Sequence, residues 1–180
     1  MAPTLTRVEQ VALPSRSAVA TAFKSMNLAD AFAIRLPSDA SMNPAVLARF
    51  IFAEQPSWIG GLMQVRDAIV AGFGLKTAKQ LARVSSDVTV PRISIFRVFS
   101  TSEHEVVLGE NDKHLDFRVS ILCSPASPPT TDRELTLSTV VHCHNRFGRT
   151  YLSVIAPFHR QVVKASLRRA ANVGWPQASA

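Results

Sequence analysis

His114, Asp116 and Arg118 stand at alternate positions in the run KHLDFRVSIL, so on a strand their side chains leave the same side of a sheet. An imidazole, a carboxylate and a guanidinium in one row can bind a carboxylate or phosphate, or His114 and Asp116 can act as an acid–base pair. The plainer alternative is a solvent-facing strip of cross-strand ion pairs, each contributing roughly 0.2–1 kcal/mol. His142 and His144 also share one side of a strand, a spacing that some metal sites use. A catalytic zinc centre needs a third protein ligand and an open position, which only His114 or Asp116 on a neighbouring strand could supply in one register. No metal and no cofactor is expected. His159 follows Pro157-Phe158 near an expected helix start, where the helix dipole disfavours a charged imidazole, so it reads as a structural anchor. Tyr151, the sole tyrosine, either lines a cavity or fills the core. The chain has no GxSxG elbow, GxGxxG loop or P-loop, and catalytic residues remain unassigned.

These residues need a sheet to hold them. Leu115, Phe117, Val119 and Ile121 alternate with His114, Asp116, Arg118 and Ser120, the period of a strand with two unlike faces. Strands are expected over 93–101, 105–109, 114–123, 134–144 and 149–156. Turn residues separate them at Glu110-Asn111-Asp112 and at Asn145-Arg146-Phe147-Gly148. Pro157 then opens a long helix with an apolar stripe of Phe158, Val162, Val163, Leu167 and Ala170, opposite a basic one of Arg160, Lys164 and Arg168. Upstream, the pattern gives a short helix over 15–26, a strand over 30–36 ending at Pro37, and a helix from Asn43-Pro44 to 53. A second helix runs from Pro56 to Gly74, weakened by Gly60-Gly61.

At 180 residues and 47% apolar composition the chain suits one globular domain. Its N-terminus lacks the apolar core of a signal peptide, and no run approaches the ~18 apolar residues of a membrane span, so a cytoplasmic protein without membrane association is expected. Cys123 and Cys143 show no zinc spacing and read as buried thiols; they could come close if their strands pair. The net charge of +7 is scattered along the chain and no nucleic-acid motif accompanies it, so nucleic acid is not expected as a partner.

A curved antiparallel sheet must bury one face, and the long last helix is the element available to cover it. This order of elements resembles the helix-grip fold of the START and birch-pollen-allergen superfamily, an α+β architecture in which a curved antiparallel sheet wraps a long C-terminal helix. The segments DAFAIRLP, PSWIGGLMQVRDAIVAGFGL, VVLGENDKHLDFRVSIL and TVVHCHNRFGRTYLSVIAPFHR resemble one uncharacterised bacterial family within that superfamily. The resemblance implies a single helix-grip domain over 30–172. An N-terminal segment over 1–29 precedes it, and a tail over 173–180 stays flexible unless Trp175 docks. It implies no reaction. The expected function is binding of a small, largely apolar or amphipathic ligand between sheet and last helix. Phe117, Val119, Tyr151, Trp58, Phe158 and Val162 would form its walls. His114, Asp116 and Arg118 would be its polar anchors if their face turns inward. An enzyme using the His/Asp pair, or a homodimeric interaction module, are the alternatives.

Overall fold

Period-two alternation between residues 105 and 143 produces three long neighbouring strands, and among the described residues shorter strands extend their sheet while helices and loops cover its faces. A computed structural model describes residues 7–53, 91–125 and 133–178. In chain order the described elements are β1 (Glu9–Val11), a 3₁₀ turn (Ala18–Thr21), β2 (Leu28–Leu36), α1 (Pro44–Ala53), β3 (Arg92–Ile93), β4 (Phe96–Thr101), β5 (Glu105–Asn111), β6 (Leu115–Ser124), β7 (Arg133–Cys143) and α2 (Arg146–Val173). The strands form one antiparallel sheet in the order β1-β2-β7-β6-β5-β4-β3. The fold is α+β, a curved sheet with a long C-terminal helix, as the sequence led us to expect.

The register assigns the faces. Val119, Ile121 and Cys123 of β6 share a face with Leu135 and Leu137 of β7, Val106 and Leu108 of β5, and Phe32, Ile34 and Leu36 of β2. These residues bury against Leu47, Ala48 and Ile51 of α1 and Val163, Leu167 and Ala170 of α2, forming the main core. The opposite face is not left to water. Val107 and Val140 pack there beneath Val19 of the 3₁₀ turn, with Leu13, Phe23, Met26 and Phe99 around them. Residues 13–27 thus cross the outer face as a strap.

Several local expectations differ from the structure. The segment over 149–156 is helix rather than strand, because α2 begins at Arg146, not at Pro157, and continues through that proline. Asn145 caps it, its Oδ1 accepting from the Gly148 N–H at 2.9 Å. Gly148, Leu152 and Ala156 then follow at helical spacing and are all buried. The strand expected over 93–101 is observed from Phe96 to Thr101, preceded by a tight hairpin. Ser94 at φ +56 turns the chain so that Ile93 pairs with Phe96. Residues 15–26 hold only the short 3₁₀ turn, fixed by tertiary bonds described below. The basic stripe of α2 is not wholly solvated either. Arg160 reaches Asp30, and Lys164 Nζ lies 5.4 Å from the centroid of the Phe32 ring.

The helix ends at Gly174, and the chain folds back. Trp175 is buried beside Phe50, Ser41 N–H donates to Pro176 O at 2.7 Å, and Ala178 N–H donates to Asp39 O at 2.9 Å. Trp175 therefore docks. The expected helix over 56–74, with Trp58 and Gly60-Gly61, lies outside the described residues.

Candidate functional site

The row of His114, Asp116 and Arg118 divides. Asp116 and Arg118 belong to β6 and face away from the helices, on the side where Ser120 meets the strap. His114 sits just before the strand, in the turn. Its Nδ1 accepts from the Asn145 Nδ2–H at 2.8 Å, and its ring packs edge-on against Phe147 at 4.9 Å. Because Nδ1 accepts, the ring proton of neutral His114 is on Nε2. The His114 carbonyl accepts from the His144 N–H at 2.9 Å and lies against Gly148, where a Cβ would approach that oxygen to 2.3 Å. His114 thus belongs to the junction that starts α2.

Asp116 takes another histidine. Its Oδ1 accepts from the Asp112 N–H at 3.2 Å and from His144 Nε2–H at 3.1 Å. His142 stands beside His144, ring centroids 5.2 Å apart, and its Nδ1–H donates to the Ser25 carbonyl at 2.9 Å. Phe23 of the strap stacks on His142 at 5.8 Å. The Arg118 guanidinium lies 3.5 Å from the centroid of Phe99 and 5.3 Å from that of Phe23, a cation over two rings. Partial burial lowers the Arg118 pKa from its ordinary value and Asp116 opposes the shift, but an arginine stays charged throughout. Gly109 lets this side chain lie flat, since a Cβ there would meet Phe117 O at 2.2 Å and Arg118 Cδ at 3.0 Å. The outer row is a set of fastenings for the strap. Among the described residues no three His, Cys, Asp or Glu side chains are placed to hold a metal ion.

Glu105 is the strongest fastening and carried no signal in the sequence. Its buried carboxylate accepts from the hydroxyls of Ser17 and Ser120, both at 2.5 Å, and from the Ala18 N–H at 2.9 Å. Arg16 binds the Ser124 hydroxyl alongside. A carboxylate three residues from a turn in sequence would suggest a cap; Glu105 is 87 residues away from Ala18.

The expected walls also separate. Val119 is core at 6% exposure, and Phe117 packs against Phe96 at 5.9 Å. Tyr151 is on α2 and half-buried, Phe158 is 49% exposed, and Trp58 is outside the described residues. The thiols do not meet. β6 and β7 pair as expected, but Cys123 lies opposite Leu135, eight residues from Cys143, or about 27 Å at ~3.4 Å per residue. Burial pushes the Cys123 thiol up to about 12 and raises that of Cys143, so neither is a ready nucleophile.

A groove opens elsewhere, between the N-terminal half of α2 and the start of β2. Its volume is about 340 Å³, and Asn27, Leu28, Arg149, Leu152, Ser153, Ala156 and Arg160 line it. Residues 149, 152, 153, 156 and 160 recur at helical spacing, so one face of α2 forms one wall. At one end, Arg160 Nε–H donates to Asp30 Oδ2 at 2.9 Å, with Asp30 buried. His159 lies next to that pair. Burial lowers its pKa, Asp30 acting against the shift and Arg160 with it. Its Nε2 is buried and has no hydrogen-bond partner among the described residues. His159 was expected to be a neutral anchor because of a helix N-terminus at Pro157; it lies in mid-helix instead, and burial is what disfavours its charged form. Helical spacing from Gly148 onward was the signal that could have revealed this groove, had α2 been read from Asn145.

Sheet, gripping helix and groove define a helix-grip domain of the α+β class. The chain belongs to a family described as "Protein of unknown function (DUF2867)", whose model matches residues 22–166. The match excludes β1, the 3₁₀ turn and the docked tail. No curated protein and no solved structure matches the chain. Among the described residues no helix is long and apolar enough to cross a membrane.

Proposed function

We propose that this domain binds a small amphipathic molecule in the groove between the last helix and the start of β2. The groove carries the proposal. At about 340 Å³ it falls within the range of roughly 300–1,000 Å³ typical of small-molecule sites. Leu28, Leu152 and Ala156 supply apolar wall, while Asn27, Ser153 and two arginines supply polar ends. The proposed site shares the last helix with the one expected from the sequence but uses different residues. The proposal extends to membership of the START and birch-pollen-allergen superfamily, a bacterial source and a cytoplasmic location. Element order supports the superfamily, while the fold alone supports no activity.

An acid–base role is favoured less. Asp116 is engaged by His144 and Asp112 on the face away from the groove, and His114 is engaged by Asn145. A titration of the ¹⁵N-labelled protein with octanoate, octan-1-ol and octylamine tests the binding proposal. Amide shifts concentrated at Asn27, Leu28, Leu152, Ser153 and Ala156 are expected with at least one of the three. Shifts with none, or shifts centred on the outer face at Arg118 and His142, refute it.

A further inference from the structure

We infer that the groove takes a monoanion, its charged end at Arg149 and its apolar part lying along Leu152 and Ala156. The inference rests on the binding proposal above and adds the charge and direction of the ligand.

Arg149 and Arg160 are eleven residues apart on one helix face, about 16–17 Å along the axis at ~1.5 Å per residue. They mark opposite ends of the groove and do not form a single clamp. The two ends differ electrostatically. Arg160 is balanced by the buried Asp30 carboxylate, which its Nε–H contacts at 2.9 Å. Arg149 is exposed, and among the described residues it has no ion pair and no groove-lining residue is acidic. Two arginines against one carboxylate leave a single uncompensated positive charge, at the Arg149 end.

The helix reinforces that sign. Its first turn holds Arg146, Arg149 follows directly, and no acid lies in that turn. Unpaired N–H groups already make a helix N-terminus positive, so cations there oppose helix stability and acids would favour it. A sequence selected only for a stable α2 would place Asp or Glu at these positions. An anion at Arg149 relieves the repulsion between guanidinium and helix end. Asn27, whose Oδ1 accepts from the Cys143 N–H, and Ser153, whose hydroxyl donates to the Thr150 carbonyl, add neutral polar groups to the groove wall, and Leu28, Leu152 and Ala156 provide the apolar floor beyond them. A ligand anionic at both ends would have to displace Asp30 from Arg160, which argues for one charge.

Octanoate and octan-1-ol share a chain and differ in charge at pH 7.5, so they isolate the charge assignment. By calorimetry or NMR titration, wild type is expected to bind octanoate at least tenfold more tightly than octan-1-ol. Arg149→Gln should weaken octanoate about tenfold and octan-1-ol by much less, and Arg149→Lys should recover most of the octanoate loss. Ser153→Trp, which fills the groove from an exposed position, should abolish both. Equal affinity for the two probes, or no loss in Arg149→Gln, overturns the charge assignment and leaves groove binding standing. Absence of binding to either probe by wild type, or binding untouched by Ser153→Trp, overturns the groove proposal and this inference with it.

Discussion

Replacing Pro157 by alanine should stabilise this protein. In the structure Pro157 lies well inside α2, with Arg146 eleven residues before it and Val173 sixteen after. It has no N–H to give the Ser153 carbonyl, and its ring crowds that carbonyl, a combination that costs about 3 kcal/mol relative to alanine in a helix interior. Alanine would also loosen the unfolded chain, which returns about 0.4–1 kcal/mol of that gain. Pro157 is exposed, so little packing is lost. The net expectation is about 2 kcal/mol of stabilisation, and for a chain of this size about 1 kcal/mol moves Tm by about 2–4 °C. Thermal unfolding followed by circular dichroism should therefore show Tm rising by about 4–8 °C, with urea midpoints moving in the same direction. An unchanged or lower Tm would refute the continuous helix. That outcome is expected if Pro157 occupies the first turn, where its fixed φ and missing N–H are tolerated and alanine brings no gain.

The other expectations concern the strap, the helix start and pH. Glu105→Ala removes the acceptor for two buried hydroxyls and the Ala18 N–H; it should cost about 3 kcal/mol in urea unfolding, with faster tryptic cleavage at Arg16 and Lys24. Unaltered stability and cleavage would mean the strap is held without Glu105. Gly148→Ala should destabilise by about 1–3 kcal/mol despite alanine's better helix propensity, because its Cβ would meet the His114 carbonyl oxygen at 2.3 Å. A stabilised variant would contradict that close approach. Burial depresses the folded pKa of His159, so the unfolded chain binds more protons once pH falls below the ordinary value near ~6.5. The His159 contribution is thus complete above that value and is lost as pH drops toward the folded pKa. His159→Leu should flatten the stability profile in that window, and an unchanged slope would assign it to other groups.

Local patterning made much of the fold legible. Alternation at Leu115, Phe117, Val119 and Ile121 identified β6 and its core face, and Asn43-Pro44 marked the start of α1 at its observed position. Both signals lie within one element and need no knowledge of neighbours. Alternation failed at 149–156, where apolar residues suit either period. The Asn145 cap and the fit of Gly148 against His114 tip that segment to helix, and His114 is 34 residues distant in sequence. The candidate site moved for the same reason. The row at His114, Asp116 and Arg118 was visible as a row, but its partners were not: Asn145, His144 and Phe99 reach it through strand pairing and a helix start.

By itself the sequence determined the class of architecture: an antiparallel sheet with one strongly apolar face and an amphipathic helix to cover it. Periodicity is a property of consecutive residues, so one chain suffices to show it. Only the tertiary structure decided what lies on the second face of β6 and β7, and where a groove remains. Sheets have two sides, and their coverings come from distant chain segments. Here residues 13–27 are pinned through Glu105 and His142, and Asp30 holds Arg160 at one end of the groove while Arg149 stays open at the other.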